Sequence, residues 1–571
     1  MKTTSQNNGE KHPTCGNKIY WLIILCLGVS YGIFVYMYLI LPQNPLSWDE
    51  AHHSVYSLMI AKSIMRFNIN DFARFTNTQI YWPFLHSWIS SFFLILGGFS
   101  YSSVRFASLV TGFGSLILIA VIGKKLVKPG GEAIGLLSAC LMLLCPILLY
   151  FSSAVFLENQ GLFFSLGIIG FQFSGWKKQK NCYFFASGIL LSLLYLTKYI
   201  YALFMGLTLV IFWLSFIPLP SPQFKKQDLL KIILWVGIGF LSIWGIWMLI
   251  PPTANKFNIL LYRIKDTGSW NPLNFSQLDN RLFYLRALLY AYTFSIGIYL
   301  MYLGGLIFGL ANFRQPKFRF LTIFFLVNTI PMSFIVNSQE RFIYISTPCL
   351  FLLTAAFMYW AWTKLKGTWR WSAIIILTIL VAGDLPKMPG YIRHIGNMGG
   401  LSFRVKNKFN FTTLFGLSTY PHWLRFPKSP FNPKAWEKIH TRNTEAILKF
   451  VWDNTDPRGA ICAPFYIVTL SPHLWTWHSI IKQRPIVTRW HSNAYYFITL
   501  QVDNDSPYST LWNKNLIESS RKWEYFIVDL EKRNLMSLFR EVYFPDSGLG
   551  AKIYIKKAPV TEQVWRDIHY P

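Results

Sequence analysis

Residues 45–67 read PLSWDEAHHSVYSLMIAKSIMRF, and they follow directly on an uncharged run from Tyr20 to Leu41. The run is long enough to cross a bilayer, so Asp49 and Glu50 fall at a membrane surface, where carboxylates are costly unless they are used. Behind them Tyr56, Met59, Ile60, Ile64 and Phe67 recur at helical spacing, which predicts an amphipathic helix lying along the interface. Asp49 also stands where it can N-cap that helix.

Working outward, uncharged or nearly uncharged runs recur at about 20–41, 106–123, 133–151, 159–175, 182–197, 199–216, 232–250, 287–312, 320–336, 342–363 and 371–385. These eleven runs, in a 571-residue chain that is 53% hydrophobic and 18% aromatic, predict a polytopic α-helical membrane protein. The first run has no small-residue cleavage site after it and reads as a retained helix, not a removed signal peptide. Seven scattered cysteines show no paired spacing, so neither a disulfide framework nor a zinc site is expected from them.

Six connections each carry three basic residues: Lys2, Lys11, Lys18; Lys124, Lys125, Lys128; Lys177, Lys178, Lys180; Lys225, Lys226, Lys231; Arg314, Lys317, Arg319; and Lys364, Lys366, Arg370. The positive-inside bias puts all six in the cytoplasm and accounts for much of the +29 net charge. Nucleic-acid binding is set aside, because no recognition motif accompanies the charge. This orientation requires that 83–97 (PFLHSWISSFFLILG) not cross, and its length and its Pro, His and Ser content suit a juxtamembrane helix. Asp49, Glu50, Glu158, Lys198, the 251–286 loop and the turn NSQER, which ends at Arg341, then share the outer face. Ionisable groups gathered at helix ends describe a polar site at the membrane surface. A transporter or flippase, the alternative, would carry them near mid-span.

After about residue 386 the composition becomes water-soluble. The stretch 399–423 is irregular, TEAILKFVWDNT (444–455) reads as an amphipathic helix, and GAICAPFYIV (459–468), KWEYFIVDL (522–530) and AKIYIKK (551–557) read as strands. The expected division is therefore a membrane domain, 1–385, and an extracytoplasmic α/β domain, 386–571.

Five local features, WDEAHH (48–53), WPFLHSWISSFFLILGGFSYSSVRFAS (82–108), SSAVFLENQGLFF (152–164), LYLTKYIY (194–201) and ERFIYISTPCLFLL (340–353), occur in an order that resembles the C-type (GT-C) membrane glycosyltransferases. The branch is that of the protein O-mannosyltransferases and the lipid A aminoarabinose transferase. The resemblance implies an enzyme of the cytoplasmic membrane that moves a sugar from a polyprenyl-phosphate carrier to a lipid, glycan or protein acceptor. It further implies Asp49 as catalytic base, Glu50 as its neighbour, Glu158 as the second-loop acid, and Lys198 and Arg341 as contacts to the donor phosphate. This chain departs from the aminoarabinose branch at Tyr81, Trp82 and Pro83, where a basic residue would precede two prolines, and it has Glu where the second acid is often Asp.

Each of these residues also has a structural reading. Glu50 suits a solvated first-turn acid, Glu158 an acid at the start of a helix, and Lys198 and Arg341 suit snorkelling from helix ends. Arg105 reads as an anchor or as the partner of an acid. A divalent metal held by Glu50, His52 and His53 is a weaker alternative, since adjacent histidines on one turn point apart. Otherwise no cofactor is expected.

Overall fold

In the computed structural model, the run from Tyr20 to Leu41 lies in helix α1 (Cys15–Val35), which continues as a π-helical turn over Tyr36–Ile40. The structure describes residues 15–41, 46, 48–80, 82–216, 226–250, 256, 258, 283–290, 292, 293, 295–333, 340–368, 370–372, 433–463, 472–483, 486, 487, 494–502, 514–545 and 549–558. Then come α2 (Trp48–Met65), α3 (Ile69–Asn77), α4 (Leu85–Gly97), α5 (Tyr101–Lys124), α6 (Gly131–Leu143), α7 (Pro146–Ser153), α8 (Glu158–Lys178), α9 (Asn181–Thr197), α10 (Tyr199–Leu214) and α11 (Lys226–Leu249). After these follow α12 (Phe283–Tyr290), α13 (Ile296–Ala311), α14 (Pro316–Met332) and α15 (Thr347–Lys364).

Ten of the eleven expected runs coincide with these helices, while 371–385 and the 251–286 loop lie almost wholly outside the described residues. Among the described residues three helices, 18–40, 101–124 and 228–249, are long and apolar enough to cross a membrane; α6 with α7, bent by 68°, makes a fourth if the pair is one span. The run 287–312 is not continuous, because α13 starts afresh at Ile296, with the Ser295 hydroxyl capping the Gly297 N–H at 3.2 Å. Helix α4 has thirteen residues, about 20 Å at 1.5 Å per residue, and falls short of a ~30 Å hydrocarbon core.

Contacts divide the chain into two units, one of residues 1–38, 109–152 and 158–388, the other of 39–108, 153–157 and 389–571. In the first unit, α9 and α11 touch backbone to backbone. A Cβ at Gly188 would strike the Val236 carbonyl and one at Gly239 the Phe185 carbonyl, so small residues set the approach.

In the second unit, Ala51, Val55, Leu58 and Ala61 of α2 face its core. Of the apolar stripe, Ile60 is buried and Met59 packs on that core, whereas Ile64 is exposed and Phe67, just past the helix at φ 52°, is 90% exposed. That core continues into α16 (Pro433–Asp453), α17 (Pro472–Lys482), α18 (Lys514–Lys532) and a five-stranded sheet. The strands are β1 (Ile461–Cys462), β2 (Ile486–Val487), β3 (Tyr496–Val502), β4 (Met536–Phe544) and β5 (Leu549–Lys556), in the order β2-β1-β3-β5-β4. β1 runs parallel to β2 and β3, and β5 is antiparallel to both β3 and β4.

The helix expected over 444–455 lies largely in α16, and the strand candidates at 459–468 and 551–557 contain β1 and most of β5. KWEYFIVDL, expected as a strand, is helical: it lies in α18, where Trp523, Phe526, Ile527 and Leu530 are buried at i, i+3, i+4 and i+7 while Tyr525 faces out. Its aromatic and β-branched content favours a strand, but its period is that of a helix, and the period decides which face is buried. The stretch 399–423 lies outside the described residues.

Candidate active site

Asp49 and Glu50 occupy the first turn of α2, where the helix dipole favours a negative charge. Asp49 lies inside the helix, not at its cap, and is half-buried. Glu50 is not a solvated acid. It is 5% exposed, accepts from Arg105 Nε at 3.1 Å and Nη2 at 3.3 Å, and takes the Val155 backbone N–H at 3.0 Å. Arg105, itself buried on α5, is thus the partner of an acid. This two-pronged pair fastens the turn that carries Asp49 to α5, and the Val155 bond fastens it to the segment 153–157.

On the same face of α2, one turn beyond Asp49, His52 Nδ1 lies 3.2 Å from His473 Nε2 of α17. His478 Nε2 lies 2.6 Å from the Tyr101 hydroxyl, and Lys62 donates to the Ile480 carbonyl. The sheet-bearing region therefore holds the Asp49 helix through α17. Neither His473 nor Val155 carries a sequence signal for this, because both partnerships form across long chain separations.

Burial pushes His473 down to about 4, with His52 adding to the effect and Asp49 opposing it. Burial, then Lys482, does the same to His478, also to about 4, and burial lowers His52 against the pull of Asp49. The unfolded chain therefore binds more protons than the folded one between about pH 6.5 and 4. Stability from this contact is full above the unfolded value and is lost as pH falls through that window. Amide exchange in α17 is expected to accelerate relative to the rest of the sheet region between pH 7.5 and 5, and His473→Gln with His478→Gln should flatten that dependence. A pH-independent ratio would show that the histidines do not hold the contact.

His53 turns elsewhere, its ring centroid 5.4 Å from that of His86 and 6.1 Å from that of Trp82. Glu50, His52 and His53 thus face three different partners. Among the described residues no group of three His, Cys, Asp or Glu is placed to hold a metal ion.

The first unit brings together the other three expected residues. Glu158 opens α8 and is 1% exposed. Its Oε1 lies 2.7 Å from Lys198 Nζ and 3.9 Å from Arg341 Nε. Lys198 is an extended residue (φ −156°, ψ 101°) in the break between α9 and α10, only 2% exposed, and its ammonium lies 4.4 Å from the Tyr201 ring centroid. Neither cation simply snorkels: both converge on one carboxylate.

Tyr201, which the sequence did not flag, completes the cluster by accepting from Lys198 at 3.3 Å and donating to the Arg341 carbonyl at 2.8 Å. A Cβ at Gly161, one turn after Glu158, would meet the Tyr201 ring at 2.6 Å, so glycine there lets the ring close on the cluster. Below it Asn159 donates to Ser152 at 2.7 Å and accepts from the Tyr344 hydroxyl at 2.5 Å, fixing the start of α8. Arg341 is the most accessible member, its side chain 19% exposed.

Residues 82–247 match the family model described as dolichyl-phosphate-mannose-protein mannosyltransferase. Among solved structures, ArnT from Cupriavidus metallidurans bound to undecaprenyl phosphate superposes with a TM-score of 0.60 at 10% identity, over 94% of this chain and 98% of that one. The segment 82–247 is thus similar to that mannosyltransferase family, and the chain shares its fold with ArnT. In its apo state ArnT superposes with a TM-score of 0.54 at 11% identity, again over 94% and 98% of the two chains. The apo oligosaccharyltransferase of Archaeoglobus fulgidus gives 0.52 at 10% identity, over 96% of this chain and 76% of that one. No curated protein matches the chain. The fold shared with ArnT thus extends over nearly the whole chain, and the family match covers the segment from Trp82 through Glu158 and Lys198 to Trp247.

Proposed function

We propose that this chain is a glycosyltransferase that moves a sugar from a polyprenyl-phosphate carrier to an acceptor hydroxyl at the outer face of the cytoplasmic membrane. The observation that carries the reading is the convergence of Lys198 and Arg341 on Glu158 at helix ends. It is supported by a fold shared with ArnT, whose solved structure holds undecaprenyl phosphate. In this reading the N-terminus is cytoplasmic, the chain crosses the membrane eleven times and the region after 386 lies outside.

The acceptor oxygen bonds to the anomeric carbon as the bond from that carbon to the phosphate oxygen breaks, and the bonding pair leaves on the phosphate. Asp49 takes the hydroxyl proton as general base, while Arg341 and Lys198 offset the charge on the departing phosphate. Glu158 keeps the two cations together and aimed, so Arg341, the more exposed, makes the outer phosphate contact. Glu50 holds the Asp49 turn in place through Arg105.

Binding of a labelled polyprenyl phosphate to the purified full chain tests these roles. Arg341→Ala is expected to weaken binding by about tenfold or more, as expected for a lost charge-assisted contact, whereas Asp49→Asn should leave it within about twofold. Carrier affinity unchanged by Arg341→Ala would remove that residue from the phosphate site.

A further inference from the structure

The structure gathers a second set of cations, distinct from the pair on Glu158. Lys317, in the first turn of α14, donates its ammonium to the carbonyls of Lys125 and Leu126 just after α5, the latter at 3.2 Å. Lys125 in turn donates to Ser174 Oγ, in the last turn of α8, at 3.2 Å. These bonds draw three connections together and bring their charges with them. The charged neighbours of Lys317 are Lys177, Lys128 and Lys125, and those of Lys125 include Lys178 and Lys177.

Among the described residues none of these five lysines pairs with a carboxylate. Glu132, the nearby acid, is taken by Lys124 at 2.8 Å. Burial first, and then its three lysine neighbours, hold Lys317 below the usual lysine range. Its ammonium also stands at the positive end of the α14 dipole, where a cation is disfavoured.

The positive-inside bias accounts for basic residues in each connection, and the C-terminal ends of α5 and α8 favour the cations there, but neither explains hydrogen bonds that press three connections into one cluster with no carboxylate partner among the described residues. Such a cluster is stable when an anion of several charges completes it. It lies at the end of α5, a helix long and apolar enough to cross a membrane, and basic groups at the end of such a span meet lipid phosphates. We propose that Lys125, Lys128, Lys177, Lys178 and Lys317 form a binding site for the headgroup of an anionic phospholipid carrying two phosphates. This site is independent of the glycosyl-transfer reading.

The test uses the full-length protein in phosphatidylcholine nanodiscs, with and without diphosphatidylglycerol, reading thermal midpoint and lipid retention by native mass spectrometry. The wild type should retain diphosphatidylglycerol and melt higher with it, while inorganic phosphate or pyrophosphate should not reproduce the shift. Lys128→Gln with Lys177→Gln, both exposed positions without a hydrogen-bond role among the described residues, should weaken retention by about 25-fold at roughly fivefold per lysine. In phosphatidylcholine alone the same variant should melt no lower than wild type, since repulsion is relieved. Neutralising Lys231, Lys364 and Lys366, basic residues outside the cluster, should leave retention unchanged. Equal retention by the cluster variant, equal loss in the control variant, or full reproduction of the shift by soluble phosphate would each overturn the proposal.

Discussion

Glu158→Ala is expected to lower stability by about 3–5 kcal/mol, because it leaves the Lys198 ammonium buried without its counter-ion. The pair is almost fully enclosed, so solvent cannot take over the role of the carboxylate. Arg341, 3.9 Å from Glu158, would lose its counter-charge at the same time. Pairing Glu158→Leu with Lys198→Met should recover most of the loss, since removing both charges leaves neither stranded. Thermal unfolding of the two variants measures this, and a double variant as unstable as Glu158→Ala would show that the ion pair is not what the site depends on.

Asp49→Asn is expected to reduce turnover by at least about 10²-fold while expression, folding and carrier binding stay near wild type. Asparagine keeps the size and much of the hydrogen bonding of aspartate but cannot accept the acceptor proton. Glu50→Gln should behave differently. Gln cannot hold Arg105 in a two-pronged pair, so Glu50→Gln should lose stability along with activity. Full activity in Asp49→Asn together with a folded, inactive Glu50→Gln would move the base by one residue.

Much of this arrangement is legible in the sequence. Long uncharged runs fix where most of the helices lie, because a helix in lipid must satisfy its backbone internally and present apolar side chains. The positions of Asp49, Glu158, Lys198 and Arg341 at the ends of those runs follow from the same cost. What cannot be read is which charges meet. Glu158 and Lys198 are 40 residues apart, and Glu50 finds the Val155 N–H across 105. Burial of Glu50 depends on that distant backbone group, so a reading confined to its own helix turn makes it a surface acid. The error at 522–530 has another origin: residue type there favours a strand, and only the spacing of Trp523, Phe526, Ile527 and Leu530 reveals the helix. The break before Ile296 is marked by the capping Ser295 and by Gly297, a local signal hidden inside an apolar run.

The most direct test of the central claim is to supply the purified protein, in sealed vesicles, with polyprenyl phosphate carrying a labelled sugar together with cell-envelope acceptors. The account predicts that label moves to an acceptor with one carrier phosphate released per sugar. Labelled carrier that crosses the bilayer with its sugar still attached, without transfer, would contradict it.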